Sequence, residues 1–427
     1  MPVFQFSLAH AQQLDIQDEL QHFRAKFHIP VINGKPTIYF TGNSLGLQPK
    51  NTQKYIENEL EDWKNWGVEG HFHGKKPWFS YHHFLTEKMA KIVGAKTDEI
   101  AIMNSLTTNL HLLMVSFYRP TAKRYKILME GPAFCSDHYA MRSQARYHGF
   151  NAEDAIIYLE PKSPDAYIET DDVLATIEKH KNELAVVMLG GVNYYNGQFF
   201  ELEKITKKAH EVGAFCGFDL AHAAGNVQMQ LHNWGVDFAC WCSYKYLNSG
   251  PGGVSGLFVH EKHDGNPNIP RFEGWWGFQE ENRFEMPRQF KPMKGASAWQ
   301  LSNVPVLLMA SLNASLDIFI EAGMDKLCAK SELLTNYLEF VVDEINKDFE
   351  QAPIKIITPR EKHLRGCQIS LLTNNKGEAI FKALSNESVI VDWRKPNVIR
   401  MAPVPLYNRF EDVYRFGEIL KRVLGEG

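Results

Sequence analysis

Two periods of apolar positions alternate along this chain. Residues 51–66, N-T-Q-K-Y-I-E-N-E-L-E-D-W-K-N-W, follow Pro49 with apolar residues at helical spacing and predict an amphipathic helix; 107–118 predicts a second. Short continuous apolar runs at 125–130, 185–189, 214–218, 238–243 and 256–259 predict buried strands. Helical patterns such as 201–212 lie between them, so strand and helix alternate, which predicts an α/β fold with a parallel or mostly parallel sheet. After about residue 305 the pattern changes. Two long helical stretches, 306–320 and 323–348, lead into strand-like K-I-I-T, C-Q-I-S-L-L and S-V-I-V-D-W and a closing helix from Arg409. That predicts a smaller α+β C-terminal domain. The expected division is residues 1–50 as an N-terminal segment packing with the small domain, 51–305 as the large domain and 306–427 as the small one. Without an internal repeat, low-complexity tract or long linker, the parts are expected to pack tightly.

Composition narrows the function classes. Hydrophobic residues at 44% and charged residues at 22% are ordinary globular usage, and 427 residues suffice for two domains. A net charge of −4, from 46 basic and 50 acidic residues, gives no electrostatic case for nucleic acid or an anionic membrane. The first ten residues lack a basic stretch before an apolar one, and no apolar run approaches the ~18 residues of a membrane span. A cytoplasmic protein is expected. The six cysteines (135, 216, 240, 242, 328, 367) lie mostly in apolar runs without zinc-site spacing, and read as buried thiols in a reducing compartment.

The densest chemistry lies in 217–253. Asp219 ends one apolar run, A-F-C-G-F, and Lys245 closes another, D-F-A-C-W-C-S-Y. Adjacent parallel strands ending in these residues would aim a carboxylate and an amine into one crevice. That pair suits pyridoxal phosphate: the amine condenses with the aldehyde, and the carboxylate holds the proton of the ring nitrogen. Each residue alone is commonplace at a strand end; their combination with His222 and the glycines at 250, 252 and 253 carries the reading. Leu106-Thr107-Thr108 opens a helix, and a helix N-terminus suits a phosphate, although a plain threonine cap fits the same residues. Phe134 by itself reads as core. Arg400, in N-V-I-R-M-A-P-V-P-L-Y-N, offers a planar guanidinium suited to the carboxylate of an α-amino acid.

The segment 217–253 resembles the lysine region of kynureninases. So do Y-F-T-G-N-S-L-G-L-Q-P-K (39–50), G-K-K-P-W (74–78), N-S-L-T-T-N-L-H-L-L-M (104–114), F-C-S-D-H-Y-A (134–140), G-W-W-G (274–277), S-N-V-P (302–305) and 399–408, spread over about 39–415. The resemblance implies pyridoxal-phosphate fold type I, with a seven-stranded-type sheet flanked by helices. It also implies hydrolysis of L-kynurenine to anthranilate and L-alanine, and of the 3-hydroxy compound to 3-hydroxyanthranilate, in tryptophan catabolism or NAD synthesis. It places Leu106 and Thr107 on the cofactor phosphate, Phe134 on the pyridine face, Asp137 and His222 beside the cofactor, and makes Tyr244 a phosphate ligand and acid–base partner of Lys245. Trp275 would reach the phosphate from a neighbouring subunit, which implies a homodimer with shared sites. His71 and Asn303 would face the substrate's aromatic ring, Asn303 also the cofactor; Ser44 would lie on the substrate side, and Arg400 would hold its carboxylate. His71 and Asn303 together resemble members favouring 3-hydroxykynurenine. Two positions depart from the pattern: Gly190 stands where relatives carry a hydroxyl, and Cys135 where they commonly have proline. The rival readings are weaker. A cysteine desulfurase needs a reactive thiol on a mobile loop, whereas Cys367 opens an apparent strand. A silent binding module has no use for Lys245, and a nicotinamide enzyme lacks its G-x-G-x-x-G.

Overall fold

Seven short strands, buried along almost their whole length, build the central sheet of the computed structural model, which describes residues 3–373 and 377–425. They are β1 (Ile100–Ile102), β2 (Lys126–Glu130), β3 (Ile156–Leu159), β4 (Leu184–Gly190), β5 (Phe215–Asp219), β6 (Phe238–Trp241) and β7 (Gly256–Val259), in the order β1-β7-β6-β5-β4-β2-β3. β7 pairs antiparallel with both neighbours and the other pairings are parallel, so the sheet is mostly parallel. Strands this apolar require cover on both faces. Alternate residues accordingly enter two different cores. Leu128, Val187, Phe218 and Trp241 join one; Ile127, Met129, Val186 and Phe238 join the other. The second core is closed by α4 (Leu106–Phe117) and α5 (Cys135–Tyr147). The first is closed by α3 (His83–Val93) and the helices Thr170–Lys179 and Leu202–Glu211.

A four-stranded antiparallel sheet follows: β8 (Ile354–Ile356), β9 (Ile369–Thr373), β10 (Asp392–Arg394) and β11 (Val398–Met401), ordered β8-β9-β11-β10. With α7 (Met324–Asn346) and α8 (Phe410–Gly425) it encloses a third core around Leu338, Val341, Ile399, Val413 and Phe416. The N-terminal residues divide between cores. Ala11, in α1 (Leu8–Gln17), Ile38 and Phe40 enter the third core, and Ile38–Tyr39 pairs parallel with Val389–Ile390. The Asp15 carboxylate accepts from the N–H groups of Phe410 (2.7 Å) and Glu411 (3.0 Å), capping α8. Leu20, Phe23, Phe27 and Leu47 belong instead to the first core.

The helix expected to open the small domain at 306 also belongs to the large layer. This is α6 (Val306–Ala322), which packs on α3 and on α2 (Thr52–Trp66) and sends Met309, Leu312, Leu316 and Phe319 into the first core. The change of core falls inside α7, between Leu327 and Leu334. Among the described residues no single helix is long and apolar enough to cross a membrane.

Candidate active site

The carboxyl ends of four neighbouring strands meet over one cavity. β2 ends at Glu130, β4 at Gly190 and β5 at Asp219, while the chain leaving β6 bends through Ser243 to Tyr244 and Lys245. β-pairing sets Gly190 beside Asp219 and Asp219 beside Cys240, fixing this lateral order. The lysine loop is held from within and without. Ser243 Oγ lies 2.6 Å from Ser249 Oγ, and Asn248 takes a left-handed conformation at φ 51°. From the N-terminal segment, the Gly46 N–H donates to the Tyr244 carbonyl at 2.9 Å. A Cβ at Gly46 would stand 2.3 Å from the Lys245 carbonyl oxygen, so only glycine allows this approach.

Inside the cavity Lys245 Nζ donates to His222 Nε2 at 3.0 Å. Burial, and then the charge of Lys245, hold the His222 pKa well below the usual histidine range, so the ring stays neutral and its Nε2 accepts. Three buried acids face this pair. Asp219 Oδ1 accepts from the Ala221 N–H at 2.7 Å, Asp137 is hydrogen-bonded to Asp219, and Glu130 accepts from the Gly190 N–H at 3.0 and 3.1 Å. Burial pushes all three carboxyls up, with Asp137 raised further by Asp219 and Glu130, and Glu130 carried to about 7. Lys245 opposes this at both aspartates, but their mutual hydrogen bond lowers Asp219 and raises Asp137, so Asp219 is the charged partner and Asp137 the proton donor of the pair. Tyr244 is half-buried, and burial followed by Cys242 raises its pKa, so its hydroxyl keeps its proton.

Leu106, Thr107, Phe134, Asp137, Asp219, His222, Tyr244 and Lys245 thus line a single cavity. Arg400 is nearly fully buried on β11 and lies outside that lining. It donates to the carboxylate of Asp392, its cross-strand neighbour, and to the carbonyl of Tyr194, whose ring its guanidinium faces at 5.5 Å. Tyr194 does line the cavity, so Arg400 sits directly behind its wall. Ser44 is exposed, two residues before Gly46. His71, Trp275 and Asn303 are not brought into the cavity by this chain. His71 bonds the Val68 carbonyl through Nδ1 and meets Trp78 edge-on, Trp275 is 40% exposed, and Asn303 is exposed ahead of α6. Sequence reasoning missed Glu130, Ser136 and Tyr194. Glu130 carried the signal used for Asp219, an acid closing an apolar run. Gly190 gains an explanation from it: a Cβ there would lie 2.8 Å from Glu130 Oε1, so the carboxylate occupies the space of the absent hydroxyl side chain.

These groups fit pyridoxal phosphate. No side chain caps the N-terminus of α4, leaving its first N–H groups free beside the Thr107 and Ser136 hydroxyls, which lie 3.0 Å apart; that is an anion site. Asp137 Oδ1 and His222 Nδ1 are buried without a protein partner, as expected of atoms that meet a polar ligand. Phe134, 48% exposed and edge-on to Tyr194 at 5.4 Å, offers a ring at the cavity wall.

Known proteins resemble this chain in sequence and in fold. The family model "Kynureninase C-terminal domain" matches residues 327–420. The kynureninase of Flavobacterium psychrophilum is 52% identical over 98% of this chain and 99% of its own length, that of Myxococcus xanthus 52% over 98% of each, and the human one 46% over 97% and 92%. Among solved structures, a cysteine desulfurase of Escherichia coli superposes with a TM-score of 0.75 at 14% identity, covering 96% of this chain and 99% of that one. A mutant of the cystine C–S lyase C-DES, with glycine linked to its pyridoxal phosphate, gives 0.72 at 15%, covering 90% and 96%. At such identities the likeness is one of fold. Cys367 also speaks against a desulfurase here: it is buried, and burial pushes its thiol up to about 12.

Proposed function

The chain belongs to the kynureninase family, and from that premise we propose how its residues perform the family's reaction. The activity is hydrolytic cleavage of the Cβ–Cγ bond of L-kynurenine to anthranilate and L-alanine, and of the 3-hydroxy compound to 3-hydroxyanthranilate, with pyridoxal phosphate as cofactor. The observation that carries the residue assignment is the single cavity in which Lys245 and His222, 3.0 Å apart, face the Asp219–Asp137 pair.

When bound, the cofactor supplies an electron sink and a point of attachment for the substrate amine. Lys245 would be the amine that holds it and, when free, the base for the substrate's α-proton, with neutral His222 giving Nζ a fixed resting place. Asp219 holds the proton of the ring nitrogen, and Asp137, sharing its own proton with Asp219, keeps that carboxylate oriented. The α4 N-terminus, Thr107 and Ser136 receive the phosphate. Tyr244, kept protonated by burial, is the acid that protonates the alanyl carbon after water has added to the γ-carbonyl. Arg400 takes the substrate carboxylate in competition with Asp392.

We further propose a homodimer in which His71, Trp275 and Asn303 complete the partner's cavity. Support comes from the apolar surface near them: Trp63, Leu307 and Leu308 are exposed and line a cleft of about 420 Å³ with Trp78 and Val304. A cytoplasmic location accords with six free cysteines. His71 and Asn303 can both hydrogen-bond a ring hydroxyl, so kcat/KM should be higher for 3-hydroxykynurenine than for kynurenine.

Two measurements test this. Absorbance of the purified protein, followed by anthranilate fluorescence after kynurenine is added, tests cofactor and reaction; a colourless, inactive protein after incubation with pyridoxal phosphate refutes the site. Mixing Lys245→Ala with Trp275→Ala chains tests sharing. Recovery of activity beyond either variant alone is expected, and a monomer in sedimentation would end the dimer reading.

A further inference from the structure

We propose that His82, His83 and Glu280 form a binding site for one divalent transition-metal ion, zinc by the chemistry of its donors, fastening the loop that carries Trp275 to the start of α3. Their ligand atoms lie within 4.8 Å of one another. Glu280 Oε1 stands 3.1 Å from His83 Nε2 and 3.7 Å from His82 Nε2, and the two rings are 4.1 Å apart between centroids. Zinc binds nitrogen and carboxylate oxygen at about 2.0–2.2 Å, which puts donors at neighbouring tetrahedral corners roughly 3.3–3.5 Å apart. The two measured separations straddle that value.

A hydrogen-bond reading accounts for only two of the three residues. Glu280 and His83 satisfy each other at 3.1 Å, but 3.7 Å is too long for a bond from His82. His82 is wholly buried, and neither of its ring nitrogens has a partner. A buried imidazole without a hydrogen bond needs a reason. An ion between the three donors supplies one, engaging His82 Nε2 in the same step as the other two. Two imidazoles and one carboxylate suit zinc rather than magnesium or calcium, which prefer oxygen.

The fourth position has somewhere to open. His83 and Glu280 line a cavity of about 290 Å³ together with Thr86, Gln279, Lys294 and Ser297. Arg283, which acts electrostatically on His82 and Glu280, donates to the carbonyls of Trp276 and Phe278 at 2.8 Å and lies over the rings of Phe79 and Trp276. Asp98 and Glu281 line the same cavity, so the fourth position is open to water or to a carboxylate of this chain. The ion adds a metal link between His82–His83 and residues 274–293, beside the aromatic packing of Phe79 on Trp276 and Phe284.

The test uses the full-length protein without a histidine tag, stripped with chelator, dialysed and titrated calorimetrically with zinc or cobalt(II) alone. One ion per chain is expected, with a rise in Tm and, for cobalt, the visible bands of a low-coordinate site. His83→Gln and Glu280→Gln change partly exposed residues and leave the fold standing, and each should weaken binding at least tenfold and abolish the rise in Tm. Binding that is absent from the wild-type chain, or that persists unchanged in both variants, overturns the site.

Discussion

The cofactor cavity and the aromatic surface around Trp275 are built on opposite principles. In the cavity the titrating side chains answer to partners within the chain: Lys245 to His222, Asp219 to Asp137 and the Ala221 N–H, Glu130 to the Gly190 N–H. At the surface, Trp63, Trp275, Phe284, Leu307 and Leu308 present apolar area to solvent, and His71 and Asn303 have no part in the cavity. One region pairs its titrating side chains within a single chain; the other exposes apolar area of the kind that interfaces bury. The difference places the proton chemistry at strand ends and motivates the proposal that substrate-ring recognition rests on assembly.

The largest effect expected is from Lys245→Ala. Losing the attached amine and the α-proton base together should lower kcat by at least about 10⁴-fold. Borohydride reduction and peptide mapping check the same residue independently, and a label on another lysine would remove it from the role. Asp219→Ala should retain cofactor and lose about 10²–10³-fold in turnover, with Asp219→Glu keeping more; near-normal activity in the alanine variant would break the claim that strand-end acids govern the chemistry. Arg400→Lys lies at the border of the two regions. Replacing a bidentate fork by a point charge should raise KM by about tenfold and leave kcat nearer wild type. An unchanged KM would assign Arg400 to Asp392 alone.

The smallest effect sharpens the electrostatic half. Glu130 titrates near 7 in the fold, above the usual carboxyl range, because it is buried. Between about pH 4.5 and 7 the unfolded chain gives up that proton before the folded one does, so its contribution to stability is present at low pH and lost as pH rises through 7. In cofactor-free protein, Glu130→Gln should remove that part of the slope, on the order of 3 kcal/mol at most. Denaturation at a series of pH values compares the two, and parallel curves would mean that Glu130 is not the titrating group.

Legibility followed the same division. Asp219 and Lys245 each close an apolar run, and the helix at α4 announces itself by periodicity, so the cavity's main chemistry could be read in order along the chain. Glu130 carried the same mark, yet nothing local says which strand end points inward. The Arg400–Asp392 pair depends on the register of β10 against β11, and the reversed direction of β7 depends on its neighbours; neither is a property of a short apolar run. β1, three residues long after T-D-E, is too brief to show a period. α6 reads as helix but not as part of the large layer, since a helix with apolar residues on most of its faces names no partner.

The capping of α8 by Asp15 has a consequence for how the chain is made. Asp15 waits for Phe410 and Glu411, Ile38–Tyr39 for Val389–Ile390, and Phe6 for Tyr414, whose ring it meets at 5.4 Å. At about 5–20 residues per second, the segment around Asp15 stands without these partners for on the order of 20–80 s while the intervening residues are synthesised. The third core therefore closes only once residues 389–416 have been made, stitched from segments far apart along the chain.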